Sequence, residues 1–206
     1  TDDLMYRHWD HTVMEIPHTF VADIDIMTDS MSEGTDLLAG EAELYELPTE
    51  PFGGLEQLSW SPDGKYIAYS CRKLVGKKYA FSTNTEIYIY NVETGSCQVI
   101  DMKGGYDTDP VWSPDGSKIA WISMERDGYE ADKQRLIVAD LIMPEAEGMP
   151  VVTKVQDITV DFKYNVSSPV WASDSKSIWF ASLAEGLQGM FRAYEEAESW
   201  EIERIT

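Results

Sequence analysis

Hydrophobic and polar residues alternate along most of this chain in short runs that are separated by turn-forming residues. The alternation is clearest over residues 86–90 and 135–139, and a period of two is the signature of half-buried β-strands. Aromatic residues make up 12% of the chain, including seven Trp and eleven Tyr, which favours strands over helices. We therefore expect an all-β protein.

Three segments of the chain repeat one another. They read Leu58-Ser-Trp-Ser-Pro-Asp-Gly-Lys-Tyr-Ile-Ala-Tyr69, Val111-Trp-Ser-Pro-Asp-Gly-Ser-Lys-Ile-Ala-Trp121 and Val170-Trp-Ala-Ser-Asp-Ser-Lys-Ser-Ile-Trp-Phe180. Their tryptophans are 52 and 59 residues apart, and we expect all three in the core: Trp60, Trp112 and Trp171. A repeat of about 50 residues with a Trp and a tight turn in each unit is typical of β-propeller blades.

Each repeat predicts four antiparallel strands. Pro and Gly in Ser-Pro-Asp-Gly suit a tight turn, and the third copy, Ala172-Ser-Asp-Ser175, keeps only Asp174 as a turn former. The predicted fold is an incomplete β-propeller of about three four-stranded blades plus part of a fourth. Residues 1–50 are predicted as the tail of a preceding blade and a connection, followed by blades at 51–103, 104–160 and 161–206.

Within that first part, residues 18–26 are predicted as a third strand and residues 35–38 as an outer strand. Residues 27–34 are expected to form a polar turn. Because a closed propeller needs at least four blades, we expect the chain to be a piece of a larger ring. Its uncovered edges would then promote self-association.

The chain carries 16 Lys and Arg against 37 Asp and Glu, for a formal net charge of −21. This charge repels phosphate backbones, so we expect no nucleic-acid partner, and it favours cationic ligands such as a peptide amino terminus. It would also serve simply to keep the protein soluble. No apolar run reaches the ~20 residues that a membrane-spanning helix needs.

The thiols and imidazoles predict no further chemistry. Cys71 and Cys97 fall at opposite ends of one predicted sheet, too far apart for a disulfide, so two free thiols are expected. The spacing of His8, His11 and His18 fits no zinc pattern. We predict neither a metal site nor a cofactor.

The repeats resemble the propeller of serine peptidases of the prolyl oligopeptidase family, and they are shared with TolB-type propellers. Three further stretches resemble the dipeptidyl peptidase 5 and acylaminoacyl-peptidase-like branch of that family. They are Leu4-Met-Tyr-Arg-His-Trp-Asp10, Pro51-Phe-Gly-Gly54, and Gly105-Tyr-Asp-Thr-Asp-Pro110 running on to Ser123-Met-Glu-Arg-Asp-Gly-Tyr-Glu-Ala-Asp-Lys133.

The resemblance implies a propeller that caps an α/β-hydrolase domain with a Ser-Asp-His triad, in a periplasmic or secreted peptidase that releases N-terminal dipeptides. No Gly-x-Ser-x-Gly motif occurs in the sequence, so we expect no catalytic residue in this chain. The remaining blades and the hydrolase domain would lie outside it. Two alternatives are a non-catalytic TolB-like binding propeller and an acylaminoacyl peptidase, which accepts a blocked amino terminus.

In dipeptidyl peptidases, acidic side chains of the propeller hold the ammonium group of the substrate. Two long loops are predicted on one face of the blades, at 72–85 and 123–134, and such loops often carry binding groups. The candidates for the ammonium site are Glu125, Glu130 and Asp132, with Tyr129 as a hydrogen-bonding wall. The alternative is a solvated loop with internal salt bridges, in which Arg126 pairs with one of these acids.

Arg7 with Trp9, and the pair Glu195-Glu196, are further positions with candidate chemistry. Arg7 is a secondary candidate for binding a substrate carbonyl or carboxylate, and Trp9 for packing against the next blade. The pair Glu195-Glu196 is predicted to lie at an outer hairpin turn, where turn chemistry explains it.

Overall fold

The computed structural model describes residues 7–8, 11–12, 15–49, 53–100, 104–197 and 199–206. These residues contain three four-stranded antiparallel sheets, in each of which the strands pair in chain order. We call these sheets blade 1, blade 2 and blade 3. Their strands are Leu58–Trp60, Tyr66–Cys71, Glu86–Asn91 and Cys97–Val99; Tyr106–Trp112, Lys118–Met124, Arg135–Ile142 and Val151–Asp157; and Ser167–Trp171, Ser177–Ala184, Leu187–Glu196 and Ser199–Arg204.

The blades pack face to face through two apolar layers. Ala68 and Ile87 of blade 1 share a buried cluster with Trp121 of blade 2. Ala120 of blade 2 shares another with Phe180 of blade 3. Successive four-stranded meanders stacked in this way form a β-propeller arrangement, as the repeat predicts. The division of the whole chain at residues 50, 103 and 160 stays a prediction.

The repeated tryptophans differ in burial. Trp112 and Trp171 are 7% and 8% exposed, whereas Trp60 is 53% exposed. The prediction that all three lie in the core is therefore wrong for Trp60. Trp112 and Trp171 pack against the blade before them, and no described segment covers Trp60 in the same way.

The hairpin turns hold their shape through an aspartate. In blade 1 the Asp63 carboxylate accepts hydrogen bonds from the Ser61 hydroxyl at 2.7 Å and the Lys65 amide at 3.1 Å. In the third copy, Asp174 accepts from the Lys176 amide at 2.8 Å, which confirms its expected role as a turn former. Ser175 there has a positive φ of 56°, where the other copies place glycine.

The Ser175 hydroxyl also links two blades, since it accepts a hydrogen bond from the Asp115 amide of blade 2 at 3.1 Å. A left-handed conformation costs a residue with a side chain roughly 1–2 kcal/mol. The inter-blade hydrogen bond offsets part of that cost.

The described residues before blade 1 form three two-stranded pairs. Residues 18–26 do not form one strand, because Phe20–Val21 pairs with Thr35–Asp36 whereas Ile24–Asp25 pairs with Ser30–Met31. A strand therefore lies inside the predicted polar turn at 27–34, which corrects both predictions. The third pair is Arg7–His8 with His11–Thr12.

This segment packs on the face of blade 1 that points away from blade 2. Leu37, Leu38 and Leu47 share a buried cluster with Ile67 and Tyr69. His18 Nδ1 lies 2.6 Å from an Asp36 carboxylate oxygen, which ties the two paired stretches together.

The two long loops differ from their predicted form. The first contains a short helix, Lys77–Phe81, and the second begins only after Met124 because the strand of blade 2 continues that far. A 3₁₀ helix at Leu55–Gln57 precedes blade 1. No helix in the described ranges is long and apolar enough to cross a membrane.

Candidate functional site

The loop between the second and third strands of blade 1 lies against the corresponding loop of blade 2. Asp127, in the second loop, accepts hydrogen bonds from the backbone amides of Thr83 at 2.7 Å and Asn84 at 3.1 Å. It also accepts from the Ser82 hydroxyl at 2.8 Å. The Gly128 amide returns a hydrogen bond to the Thr83 hydroxyl at 2.8 Å. The two loops thus form one surface, which we call the loop face.

The ionisation of Asp127 strengthens this link. Partial burial acts to raise the pKa of Asp127, but the hydrogen bonds from Ser82, Thr83 and Asn84 outweigh it and hold the pKa below its usual value. The carboxylate is therefore charged near neutral pH, and charge-assisted hydrogen bonds to it are stronger than neutral ones.

Two of the four predicted site residues are engaged inside their own loop. Arg126 forms an ion pair with Asp132, and its Nε lies 2.9 Å from a carboxylate oxygen of the same residue. The Arg126 guanidinium also lies over the Tyr129 ring, 4.1 Å from its centroid. The acid that pairs with Arg126 is thus Asp132, with the Asp132 side chain 11% exposed.

The other two predicted residues present their side chains to solvent. Glu125 has a side chain 75% exposed, and its carboxylate lies 3.8 Å from the Arg135 guanidinium. Glu130 is exposed near the tip of the same loop. The structure therefore brings together Arg126, Tyr129 and Asp132, and leaves both glutamates on the accessible side of the loop.

The secondary candidates lie near the amino-terminal end of the chain. Arg7 begins the short strand Arg7–His8, and Trp9 lies outside the described residues. Glu195 and Glu196 end a strand of blade 3 and pair with Trp200 and Ser199 across the hairpin, which is the position predicted for them.

Below the loop face, two buried acids lie at the junction of blades 1 and 2. Glu86 and Asp107 are 8% and 7% exposed, and each begins or nearly begins a strand. Burial raises the pKa of Asp107 to about 7; a hydrogen bond from Ser123 opposes this, and the charge of Glu86 adds to it. This carboxyl is therefore partly protonated at neutral pH.

The backbone of Asp107 is held firmly between the blades. Its carbonyl accepts hydrogen bonds from the hydroxyls of Ser70 at 2.5 Å and Thr85 at 2.6 Å. Its amide donates to the Thr85 hydroxyl at 2.9 Å. Asp107 was not selected from the sequence, although it lies in the Gly105-Tyr-Asp-Thr-Asp-Pro110 stretch that carries part of the resemblance. The sequence signal that could have identified Asp107 is an acidic residue within a stretch rich in aromatic and turn-forming residues.

A cation also lies close to this junction. The Arg72 guanidinium stacks over the Tyr79 ring of the short helix, 4.5 Å from its centroid. Burial lowers the pKa of Arg72, and the charge of Glu46 acts in the opposite direction. The loop face consequently combines solvent-exposed carboxylates above with a mixed layer of buried charges beneath.

The arrangement suits binding better than covalent chemistry. Exposed glutamates on a rigid two-blade platform can pair with an ammonium group, and pairing becomes stronger where water is excluded. The sequence contains no nucleophile elbow.

The comparison with curated proteins finds a relative that matches nearly the whole chain. The chain is 48% identical over 202 residues to dipeptidyl-peptidase 5 of Porphyromonas gingivalis, an alignment that covers 97% of this chain. The chain is homologous to a segment of dipeptidyl-peptidase 5. It spans 26% of the length of that relative. The dipeptidyl-peptidase 5 of Porphyromonas endodontalis is 47% identical over 137 residues, which cover 66% of this chain and 19% of the relative. No family model matches.

Solved structures support the fold of this dipeptidyl-peptidase 5 homologue. TolB from Acinetobacter baumannii superposes with a TM-score of 0.51 at 19% identity, covering 89% of this chain and 36% of TolB. A putative TolB from Agrobacterium tumefaciens gives 0.52 at 14% identity, covering 90% and 59%. At these identities the likeness concerns the fold alone, and it confirms the propeller architecture.

Proposed function

We propose that this chain is the propeller segment of a serine exopeptidase that releases dipeptides from peptide amino termini. The observation that carries the proposal is the 48% identity to a dipeptidyl-peptidase 5 over 97% of the chain. Catalysis would belong to an α/β-hydrolase domain outside this segment, with a serine nucleophile that forms an acyl-enzyme. The propeller would restrict access and anchor the substrate.

Within this proposal, Glu125 and Glu130 hold the ammonium group of the substrate. Both lie on the accessible side of the loop, and neither is engaged by Arg126, which pairs with Asp132. Asp132 and Tyr129 then act as positioning residues that shape the loop through Arg126. A carboxylate is needed because a desolvated ammonium group must be paired.

The loop face can present these glutamates in a fixed geometry. Asp127 anchors their loop to the neighbouring blade. The loop is therefore already ordered before the substrate binds, and binding does not have to supply the entropic cost of ordering it. A pre-organised acidic surface with a net charge of −21 behind it attracts cationic peptide ends.

The test measures dipeptide release by the intact gene product. We expect Glu125→Gln and Glu130→Gln to raise KM by about tenfold, which corresponds to ~1.4 kcal/mol, with little change in kcat. Glu195→Gln, in an acid at the far hairpin of blade 3, is the matched control and should leave the kinetics unchanged. Unchanged KM in both loop variants would remove these residues from the role.

A second assay separates the alternatives in enzyme class. Peptides with free amino termini should be cleaved and N-acetylated peptides should not, because an acetylated terminus offers no ammonium group. Cleavage of the acetylated peptides alone would indicate an acylaminoacyl peptidase. A gene product that ends without a Gly-x-Ser-x-Gly motif would indicate a TolB-like binding propeller, the fold that the two TolB structures share.

The proposed partners of the segment are peptide substrates, the hydrolase domain and further blades. When the hydrolase domain and further blades are missing, the exposed edges of the segment would self-associate.

A further inference from the structure

A row of polar side chains crosses blade 2 beneath the loop face. Asp107 pairs with Ser123 in the adjacent strand, and Ser123 pairs with Arg135 in the strand after that. Residues directly opposite each other in antiparallel strands point to the same face of the sheet, with their Cβ atoms about 5 Å apart. Asp107, Ser123 and Arg135 therefore stand side by side on one face of blade 2.

Polar contacts connect this row and extend it to Glu125. Arg135 Nη2 donates a hydrogen bond to the Ser123 hydroxyl at 3.1 Å, and Ser123 is hydrogen-bonded to the Asp107 carboxyl. On its other side, Arg135 Nη1 lies 3.8 Å from a Glu125 carboxylate oxygen. Asp107 is buried, the Arg135 side chain is 23% exposed and the Glu125 side chain is 75% exposed. One guanidinium thus lies between a buried acid and a surface acid.

The Arg135 guanidinium is incompletely bound in this position. Its distance to Glu125 exceeds the roughly 2.7–2.9 Å of a hydrogen-bonded ion pair. Its Nε is buried and has no hydrogen-bond acceptor among the described residues. A buried donor without an acceptor costs free energy, so the guanidinium gains from moving towards a carboxylate that offers one. Asp132, another acid close to Arg135, is already paired with Arg126.

The charge of Asp107 changes near neutral pH. Burial raises the pKa of Asp107 to about 7, and the charge of Glu86 from blade 1 adds to this effect. The hydrogen bond from Ser123 and the charge of Arg135 act in the opposite direction. Hydrogen bonds to an ionised carboxylate are about twice as strong as those to a neutral group. The attraction of Asp107 for the Arg135 guanidinium therefore increases as the pH rises through about 7.

We propose that Arg135 is a positioning residue shared by Asp107 and Glu125, and that ionisation of Asp107 draws the guanidinium inward and leaves Glu125 to the ammonium group of the substrate. The inference rests on the proposed function of Glu125. The guanidinium and the substrate ammonium compete because both are cations that pair with the same carboxylate. Peptide binding is consequently stronger above neutral pH than below it, through an acid that does not touch the substrate.

The test compares Asp107→Asn, whose side chain stays neutral, with the wild-type intact gene product. The ratio of the KM of the variant to that of the wild type should be close to one near pH 6 and about threefold near pH 8, the size expected for competition from one partly exposed ion pair. The kcat values should stay equal. Comparing both proteins at the same pH cancels the titration of the substrate and of the catalytic groups.

Asp109→Asn is the matched control. Asp109 lies in the same strand and burial also raises its pKa, but its charged neighbour is Glu56 rather than Arg135. Its KM ratio to the wild type should therefore be the same at both pH values.

Arg135→Gln tests the proposal without changing the buried acid. The ratio of the wild-type KM to that of this variant should be about threefold larger near pH 6 than near pH 8, because only the wild type has the competing cation. Adding Asp107→Asn to Arg135→Gln should leave KM unchanged at both pH values. A flat KM ratio for Asp107→Asn, or a pH-dependent ratio that persists without Arg135, would overturn the proposal.

Glu125→Gln distinguishes this outcome from a failure of the proposed function. If Glu125→Gln raises KM while the Asp107→Asn ratio stays flat, the ammonium site stands and only the role of Arg135 is wrong. If Glu125→Gln leaves KM unchanged, Glu125 does not hold the ammonium group and both proposals fail.

Discussion

The indole nitrogen of Trp171 lies 3.1 Å from the backbone oxygen of Val111 and so joins the first strands of two blades. The equivalent indole of Trp112 makes the same contact with Ser59. Trp60 has the same sequence context but is 53% exposed and has no such acceptor among the described residues. The repeat therefore allows the same motif to be compared when it packs on a preceding blade, at Trp112 and Trp171, and when no described blade precedes it, at Trp60.

Replacing Trp171 by Phe should destabilise the protein. The change removes the indole N–H and with it one hydrogen bond to the Val111 carbonyl at the blade junction, which costs about 0.5–1.5 kcal/mol. Urea unfolding followed by circular dichroism measures the difference in the free energy of unfolding.

Trp60→Phe is the control for this experiment. Its indole contacts no neighbouring blade in the described structure, so the free energy of unfolding should change by less than ~0.5 kcal/mol. Equal losses in the two variants would mean that the inter-blade hydrogen bond contributes nothing.

Replacing Asp107 by Asn should change how stability depends on pH. Burial raises the pKa of Asp107 to about 7 in the folded protein, against 3.8 for an ordinary Asp. The folded state therefore binds the proton more tightly than the unfolded state, and Asp107 disfavours folding progressively as the pH rises from about 4 to about 7. The penalty is complete above that range.

The Asn variant lacks this penalty. Its free energy of unfolding should match that of the wild type near pH 4 and exceed it near pH 8. Urea titrations of both proteins at the two pH values measure the difference, and a variant that is less stable than the wild type at the higher pH would contradict the prediction.

Replacing Asp127 by Ala should release the first long loop. The variant loses the hydrogen bonds to Ser82, Thr83 and Asn84, whereas the blades themselves keep their packing. We expect trypsin to cleave after Lys77 or Lys78 at least tenfold faster, with a small change in global stability. Glu130→Ala, an exposed residue of the same loop, should leave the cleavage rate unchanged.

The two cysteines should differ in reactivity. Both are free, as predicted, and Cys71 is fully buried, with burial raising the pKa of its thiol to about 12. Because the thiolate is the reactive form, Cys71 should not react with Ellman's reagent in the native Cys97→Ser variant. Reaction should appear only as the protein unfolds, and rapid reaction in the absence of denaturant would contradict this.

Some features of the candidate site could be read from the chain and others could not. The sequence predicts both loops on one face, but it does not distinguish Glu125, Glu130 and Asp132 as the partner of Arg126, since all three lie within reach of it along the chain. The ring of Tyr129 and the carboxylate of Asp132 converge on Arg126 only in the folded loop. The helix Lys77–Phe81 was missed because five residues carry too little periodic signal.

The sequence by itself determined the repeat, the strands and the turns, because alternation and turn chemistry are local properties of the chain. Asp174 was sufficient to identify a turn that had lost both Pro and Gly. Only the tertiary structure decided which tryptophans are buried and that Asp107 lies beside Glu86. Those outcomes depend on which blade packs against which, and contacts between residues far apart in the chain leave no periodic pattern in the sequence.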